Sequence, residues 1–322
     1  MLALYFDGQP AVKEVPRPEP APGEVLVRVH LAGICGTDLQ ILKGYHGFTG
    51  VMGHEFVGQV AAPPDSPWLG QRVVGEINLG CGACDLCRRG LAGHCRQRRV
   101  LGLKDHDGAF AHYLTLPATN LHAVPSLVPD VLAVFTEPLA AALRVLETVP
   151  VSPAARVLVV GDGPLGLQVS WVLALSGADV HLAGHHPEHL ALARPRGVET
   201  FLAADLPPGD YDLVVEASGS PTGLDLALAR VRTRGTVVMK STYVGRYPLD
   251  PAALVVHEVS LVGCRCGPFA GALRLLRDGL VDPRPLIHRT FPLSRGLEAL
   301  AWAQRPGVLK VLLVSCYKNT FT

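Results

Sequence analysis

Three groups of residues in this sequence have the types and spacing that metal and phosphate chemistry require. The first group is dispersed. Gly33-Ile34-Cys35-Gly36-Thr37-Asp38 puts a potential thiolate ligand two residues before a hydroxyl, Gly53-His54-Glu55 sets an imidazole beside a carboxylate, and Thr136-Glu137-Pro138-Leu139 adds a second carboxylate. One thiolate, one imidazole and one carboxylate around zinc leave a fourth position for water or substrate, the arrangement of a catalytic metal site. Singly, each residue has a plainer role: Cys35 as a small buried hydrophobe, His54 as a core histidine, Glu137 as a charge favoured in the first turn of a helix.

The second group is compact. In Gly80-Cys81-Gly82-Ala83-Cys84-Asp85-Leu86-Cys87, three cysteines recur at three-residue intervals, and Cys95 returns after a short lobe. Four thiolates around one zinc leave no open position, so such a site contributes loop stability and not chemistry. Two disulfides or an iron-sulfur cluster are the alternatives on spacing alone.

The third group is Gly161-Asp162-Gly163-Pro164-Leu165-Gly166, which fits G-x-G-x-x-G between an apolar run and a helical one. In that context the first glycine permits a tight turn, the second lets a pyrophosphate approach the backbone, and the third lets helix pack on strand. A dinucleotide site usually carries an acid about twenty residues further on, to accept from the adenosine ribose. Here the stretch is Val180-His181-Leu182-Ala183-Gly184-His185-His186, with Gly184 where the acid belongs. The missing carboxylate would no longer repel a 2′-phosphate, and His185 and His186 could donate to one. The expectation therefore leans to NADP, with NAD as the other candidate; solvated loop histidines are the plainer reading.

These groups need a scaffold that changes rhythm along the chain. Residues 1 to about 135 read as short alternating runs such as Glu24-Val25-Leu26-Val27-Arg28-Val29, punctuated by prolines, which predicts an irregular, mostly β domain. From about 153, Arg156 to Val160, Asp179 to Leu182, Asp212 to Glu216, Thr236 to Met239 and Ser260 to Val262 read as strands alternating with helices such as Leu165 to Ser176. That predicts a parallel sheet of βαβ units, so the fold class is α/β, with a doubly wound dinucleotide-binding sheet. Beyond about 266 the pattern mixes again, with helices near 269–278 and 294–303 and a strand over 309–314.

Length and composition agree. The 322 residues are 48% hydrophobic, enough to bury a large core in two domains. Twenty-nine basic against twenty-eight acidic side chains give a formal charge of +1, which offers no footprint for nucleic acid or an anionic membrane. A small molecule is the expected partner. The start, Met1 to Asp7, reaches a charge too soon for a secretory segment, and the apolar stretch 157–182 is broken by Asp162, Pro164 and glycines. A cytoplasmic location is expected. There, clustering among Cys35, Cys81, Cys84, Cys87, Cys95, Cys264, Cys266 and Cys316 suggests metal ligation before disulfides.

In this order along the chain, the motifs resemble the zinc-containing medium-chain alcohol dehydrogenases over essentially the whole length. The matching landmarks include Cys35-Gly36-Thr37-Asp38, Gly53-His54-Glu55 with Gly58, the cysteine lobe, Asp107-Gly108-Ala109-Phe110-Ala111, Glu137-Pro138-Leu139, the glycine loop, and Val215-Glu216-Ala217-Ser218-Gly219. Glu137, where ethanol-type enzymes have cysteine, resembles the polyol, glucose and threonine dehydrogenase branch. The run Gly235 to Tyr243 is similar to a side group of that branch. The resemblance implies a GroES-like catalytic domain over 1–137 and 267–322, a Rossmann domain over 138–266, and two zinc ions per chain. It implies that Cys35, His54 and Glu137 hold the catalytic zinc, with Glu55 a ligand or exchanging with water. Asp38 would orient His54 and Thr37 would accept the hydroxyl proton, as an alcohol becomes a ketone or aldehyde by hydride transfer to NAD(P).

Two positions depart from the pattern. Gln40 stands where many relatives have the histidine that ends the proton relay. Lys240 falls where a residue near the nicotinamide is commonly apolar, so it either reaches cofactor or substrate or points outward. Tyr45, His46, Phe48 and Arg265 are candidates for lining the substrate pocket. The segment Val259 to Cys264 is the candidate edge strand through which a homodimer or homotetramer would pair. A zinc-stabilised dinucleotide-binding protein without turnover, acting as a redox sensor or structural partner, is the alternative function.

Overall fold

The computed structural model describes residues 1–44, 47–242 and 246–315; Tyr45, His46, Tyr243 and Cys316, named above, lie outside the described residues. The chain divides into two compact units, Met1–Glu137 with Phe269–Thr322, and Pro138–Pro268.

The first unit is built around the strand Glu24–Ile34, whose valines and leucines are buried in the core. Alternating β-branched residues fit a pleated surface packed against neighbours. A path of six strands runs Leu121–Ala123, Arg72–Gly75, Glu55–Ala62, Glu24–Ile34, Lys310–Val314 and Ile287–Pro292, with Tyr113–Pro117 paired to the first half of the central strand as the seventh. Both neighbours of the central strand are antiparallel to it. Their register sets Gly33 opposite Glu55 and Ile34 opposite Val311. The end of the central strand and the starts of its two neighbours therefore meet at one margin of the sheet. Cys35 follows the first of these points, His54 precedes the second, and Lys310 opens the third.

The second unit is a six-stranded parallel sheet in the order Glu199–Leu202, Asp179–Gly184, Arg156–Val160, Tyr211–Glu216, Val231–Met239, Ser260–Gly263. Counted along the chain this is the doubly wound order 3-2-1-4-5-6, whose direction reverses beside Arg156–Val160, the strand that feeds the glycine loop. The α/β class expected from strand and helix alternation is the one observed. The helix after the loop spans Pro164–Ala174, starting one residue earlier and stopping two earlier than its apolar run suggested. Proline at its first position needs no N–H partner, and beyond its end Ser176 turns back to donate to the Leu173 carbonyl at 2.6 Å. A short helix, Pro251–Val256, was not expected; Asp250 caps it by accepting from the Ala252 N–H. Among the described residues, no helix is long and apolar enough to cross a membrane.

Candidate active site and metal centres

At the sheet margin of the first unit, Cys35 caps the helix Gly36–Ile41. Its backbone N–H donates to Asp38 Oδ2 at 2.8 Å. The other oxygen of that carboxylate, Oδ1, lies 3.2 Å from His54 Nδ1, an ion-pair distance whose alignment falls short of a hydrogen bond. Asp38 and His54 are both buried. Burial opposes charge on the imidazole, but Asp38 and then Cys35 outweigh it and hold the His54 pKa well above its usual value. One carboxylate thus fixes the backbone of Cys35 and faces one ring nitrogen of His54, leaving Nε2 as that ring's other donor atom. The Thr37 hydroxyl lies 3.8 Å from the Cys35 sulfur.

Cys35, His54 and Glu55 each present a ligand atom within 4.8 Å of the others. A soft thiolate, an imidazole and a carboxylate so grouped fit a single zinc with a position to spare. The carboxylate in this group is Glu55, which opens the adjacent strand, while Glu137 stands in the first turn of the helix Thr136–Thr148. Glu55 needs space to enter, and Gly33 supplies it, since a Cβ there would lie 2.3 Å from Glu55 Oε2.

Sequence reasoning missed Lys310. Its Nζ donates to both oxygens of Glu55, at 2.7 and 2.9 Å, and to the Ile34 carbonyl at 3.1 Å. The lysine and glutamate side chains are 3% and 1% exposed. Burial disfavours the ammonium, yet Glu55 and then Cys35 hold the Lys310 pKa above its ordinary value. The signal was present in Leu309-Lys310-Val311-Leu312-Leu313-Val314, a lone charge in an apolar strand, because a buried charge requires a partner.

In the cysteine lobe, Cys81 and Cys87 sulfurs are 4.0 Å apart and those of Cys84 and Cys95 3.8 Å apart. A disulfide requires ~2.05 Å, so these thiols are unpaired. Four Zn–S bonds of ~2.3 Å at tetrahedral angles put sulfurs ~3.8 Å apart, which the lobe matches. The backbone N–H groups of Ala83 and Cys84 draw the Cys81 thiol down to about 6, while loss of hydration and the neighbouring Cys84 push Cys87 up to about 11.

In the second unit, Gly161 has φ +113°, and a Cβ on Gly166 would lie 1.8 Å from the Gly161 carbonyl oxygen, so turn and helix can pack only as glycines. A Cβ built on Gly163 would meet no heavy atom beyond its chain neighbours within 4 Å, which leaves space on that side of the loop for a phosphate group. Pro164 and Leu165 begin the helix behind it. After Gly184 the His185 side chain is exposed, while the His186 ring turns to Asp162. The backbone N–H groups of His185 and His186 donate to Asp162 Oδ2 at 3.0 and 2.7 Å, and His186 Nδ1 lies 3.1 Å from the same oxygen. Lys240 is buried, and its ammonium donates to the carbonyls of Cys264 and Arg265 beyond the edge strand, so the outward-pointing alternative does not hold.

Two curated relatives decide the ancestry. The chain is 33% identical to the L-threonine 3-dehydrogenase of Saccharopolyspora erythraea, across 93% of this chain and 94% of that one. It is 32% identical to the D-altritol 5-dehydrogenase of Agrobacterium fabrum, across 92% and 94%. The chain belongs to the zinc-containing medium-chain alcohol dehydrogenase family. Residues 21–126 match the alcohol dehydrogenase GroES-like domain. Among solved structures, the RspB alcohol dehydrogenase of Escherichia coli complexed with NADH superposes with a TM-score of 0.89 at 28% identity, covering 98% of this chain and 99% of that one. A zinc-binding dehydrogenase from Sinorhizobium meliloti bound to NADP gives 0.87 at 27%, covering 97% and 98%. As a member of this family the chain is an oxidoreductase, and its GroES-like and Rossmann parts are those expected.

Gln40, in place of the relay histidine, lies in the helix Gly36–Ile41. Its amide cannot act as a general base. Phe48, a candidate for the pocket, is 6% exposed and belongs to the core of the first unit.

Proposed function

We propose that this chain catalyses reversible oxidation of a primary or secondary alcohol to an aldehyde or ketone, with hydride transfer to NAD or NADP. The observation that carries the reading is the convergence of Cys35, His54 and Glu55 within 4.8 Å, with Asp38 behind His54. Zinc held by these three residues would act as a Lewis acid and lower the pKa of a bound alcohol. The protein's part is to hold that donor set. Asp38 keeps the imidazole oriented, Lys310 holds the Glu55 carboxylate in place through hydrogen bonds to both its oxygens, and Thr37 offers a hydroxyl beside Cys35 for the outgoing proton. With Gln40 unable to carry the proton further, its exit runs through solvent or cofactor hydroxyls.

A second zinc in the cysteine lobe would be structural. Met1–Glu137 with Phe269–Thr322 serves as the catalytic unit and Pro138–Pro268 as the dinucleotide unit. Relatives that act on L-threonine and D-altritol point to amino alcohols, polyols and sugars as substrate classes. Either dinucleotide is a candidate, since related structures hold NADH or NADP. The edge strand Ser260–Gly263, beside Val255 and Val256 at 76% and 73% exposure, fits pairing into a homodimer or homotetramer. The cysteine-lobe sulfurs, too far apart for disulfides, fit a reducing, cytoplasmic location.

The test is a screen of amino alcohols, polyols, sugars and simple secondary alcohols with both cofactors, alongside metal analysis. Turnover with one class and close to two zinc ions per chain are expected, falling to one in Cys35→Ala with the fold retained. A protein that binds dinucleotide but turns over no alcohol, with zinc content unchanged in Cys35→Ala, would sink the proposal.

A further inference from the structure

The missing acid at the end of the strand Asp179–Gly184 has a counterpart one motif earlier. A Cβ on Gly184 would lie 2.3, 2.4 and 2.6 Å from Asp162 Cγ, Cβ and Oδ2. The space an acidic side chain at 184 would enter is therefore filled by a carboxylate from the glycine loop. Asp162 is only 6% exposed, and its Oδ2 is held by the N–H groups of His185 and His186. His186 Nδ1 at 3.1 Å braces the same oxygen, and His189 Nδ1 stands 3.8 Å from it. Two successive backbone N–H groups at the start of a helix form a ready anion cradle, and here that cradle is already occupied.

We propose that Asp162 is the specificity-determining residue of the cofactor site: it supplies from the glycine loop the negative charge that Gly184 lacks, and so selects NAD over NADP. The proposal rests on the dinucleotide reading given above. In a doubly wound fold the end of the second strand is where an acid meets the adenosine ribose hydroxyls. A 2′-phosphate directed there would meet a fixed carboxylate, and would find the N–H groups of His185 and His186 taken. This reverses the lean to NADP drawn from Gly184 alone. The sequence change at 184 and the aspartate at 162 belong together, because both side chains cannot fit.

The experiment measures equilibrium dissociation constants for NAD and NADP by isothermal titration calorimetry, with no alcohol present, on the full chain and its variants. The parent protein should bind NAD at least about tenfold more tightly than NADP. Asp162→Asn keeps an acceptor oxygen for the two N–H groups and removes the charge. It should shrink the NADP-to-NAD ratio of dissociation constants about tenfold or more. A merely structural aspartate would weaken both cofactors together and leave the ratio unchanged. Gly184→Asp alone should lower the melting temperature, because the new side chain collides with Asp162. Combining it with Asp162→Gly should restore both folding and NAD preference, with the acid back on the strand. The proposal is overturned if the parent binds NADP as tightly as NAD, or if the ratio ignores Asp162→Asn. Failure of either cofactor to bind at all would sink the dinucleotide reading itself, and this proposal with it.

Discussion

Replacing Lys310 with methionine tests whether the buried pair holds the site together. Methionine fills much of the lysine's volume but leaves Glu55 with no cation, in a place where its side chain is 1% exposed. Three donated hydrogen bonds disappear at once, two to Glu55 and one to the Ile34 carbonyl. Removing one partner of a buried ion pair costs about 3–5 kcal/mol, because the other charge stays unpaired. With both side chains at 3% exposure or less, solvent screening does not dilute that figure. At roughly 2–4 °C per kcal/mol for a domain of about 150–250 residues, metal-free Lys310→Met should melt about 6–20 °C below the parent. Two companion measurements separate this cause from simple mispacking. Glu55→Gln added to Lys310→Met should recover much of the loss, since the unpaired charge is gone; the coupling in that double-mutant cycle should be large. Zinc should also stabilise Lys310→Met more than the parent, because the ion supplies the positive charge that Glu55 has lost. Calorimetric or denaturant unfolding of the four proteins, with and without zinc, reads all of this. A loss below about 1 kcal/mol in the metal-free single variant, or additive effects in the cycle, would refute the reasoning.

Other consequences are as direct. Cys84→Ser should release one zinc and lower thermal stability while leaving metal at the other site, because a closed four-thiolate site contributes folding energy; metal analysis with melting curves checks it. Asp130 accepts from His30 and Arg72, and although burial works against its charge, these two hydrogen bonds hold its carboxyl below the usual range. A group whose folded pKa is depressed stabilises above its unfolded pKa of about 3.9 and loses that contribution as pH falls through the folded value. Asp130→Asn should therefore be less stable than the parent at neutral pH, with the gap closing in acid below about pH 4; a gap that persists in acid would refute it. Val255→Lys with Val256→Lys should shift a multimer to smaller species in light scattering, since these side chains stand exposed beside the edge strand. A parent that is already monomeric at micromolar concentration would contradict the pairing.

What was legible in the sequence depended on whether residue type alone carries the information. Glycines at fixed offsets after an apolar run, and cysteines three apart, announce themselves because few other residues serve those purposes. The alternation of strand and helix likewise exposed the α/β fold. Contacts set by strand register were not legible. That Glu55 lies near Cys35 follows only from the pairing of Gly33 with Glu55 across two strands. Lys310 is joined to Ile34 and Glu55 by the same register, across most of the chain's length. Asp162 occupies a position that the glycine motif leaves unspecified, so the pattern hid the one side chain there that carries charge. Reading Gly184 as an absence was correct locally, but the space it leaves is filled from another loop.

The buried pair also orders events in time. Lys310 and Ile34 are 276 residues apart, and the second unit, Pro138–Pro268, lies between them in the chain. Synthesis runs from the N-terminus, and domains generally fold as units as they emerge. Every residue of the second unit's parallel sheet is therefore synthesised before the strand Lys310–Val314. Until that strand docks beside Glu24–Ile34, Glu55 has no lysine to hold it. A metal ion arriving early would find a carboxylate not yet fixed in place, so loading of this centre belongs to the last stage of folding.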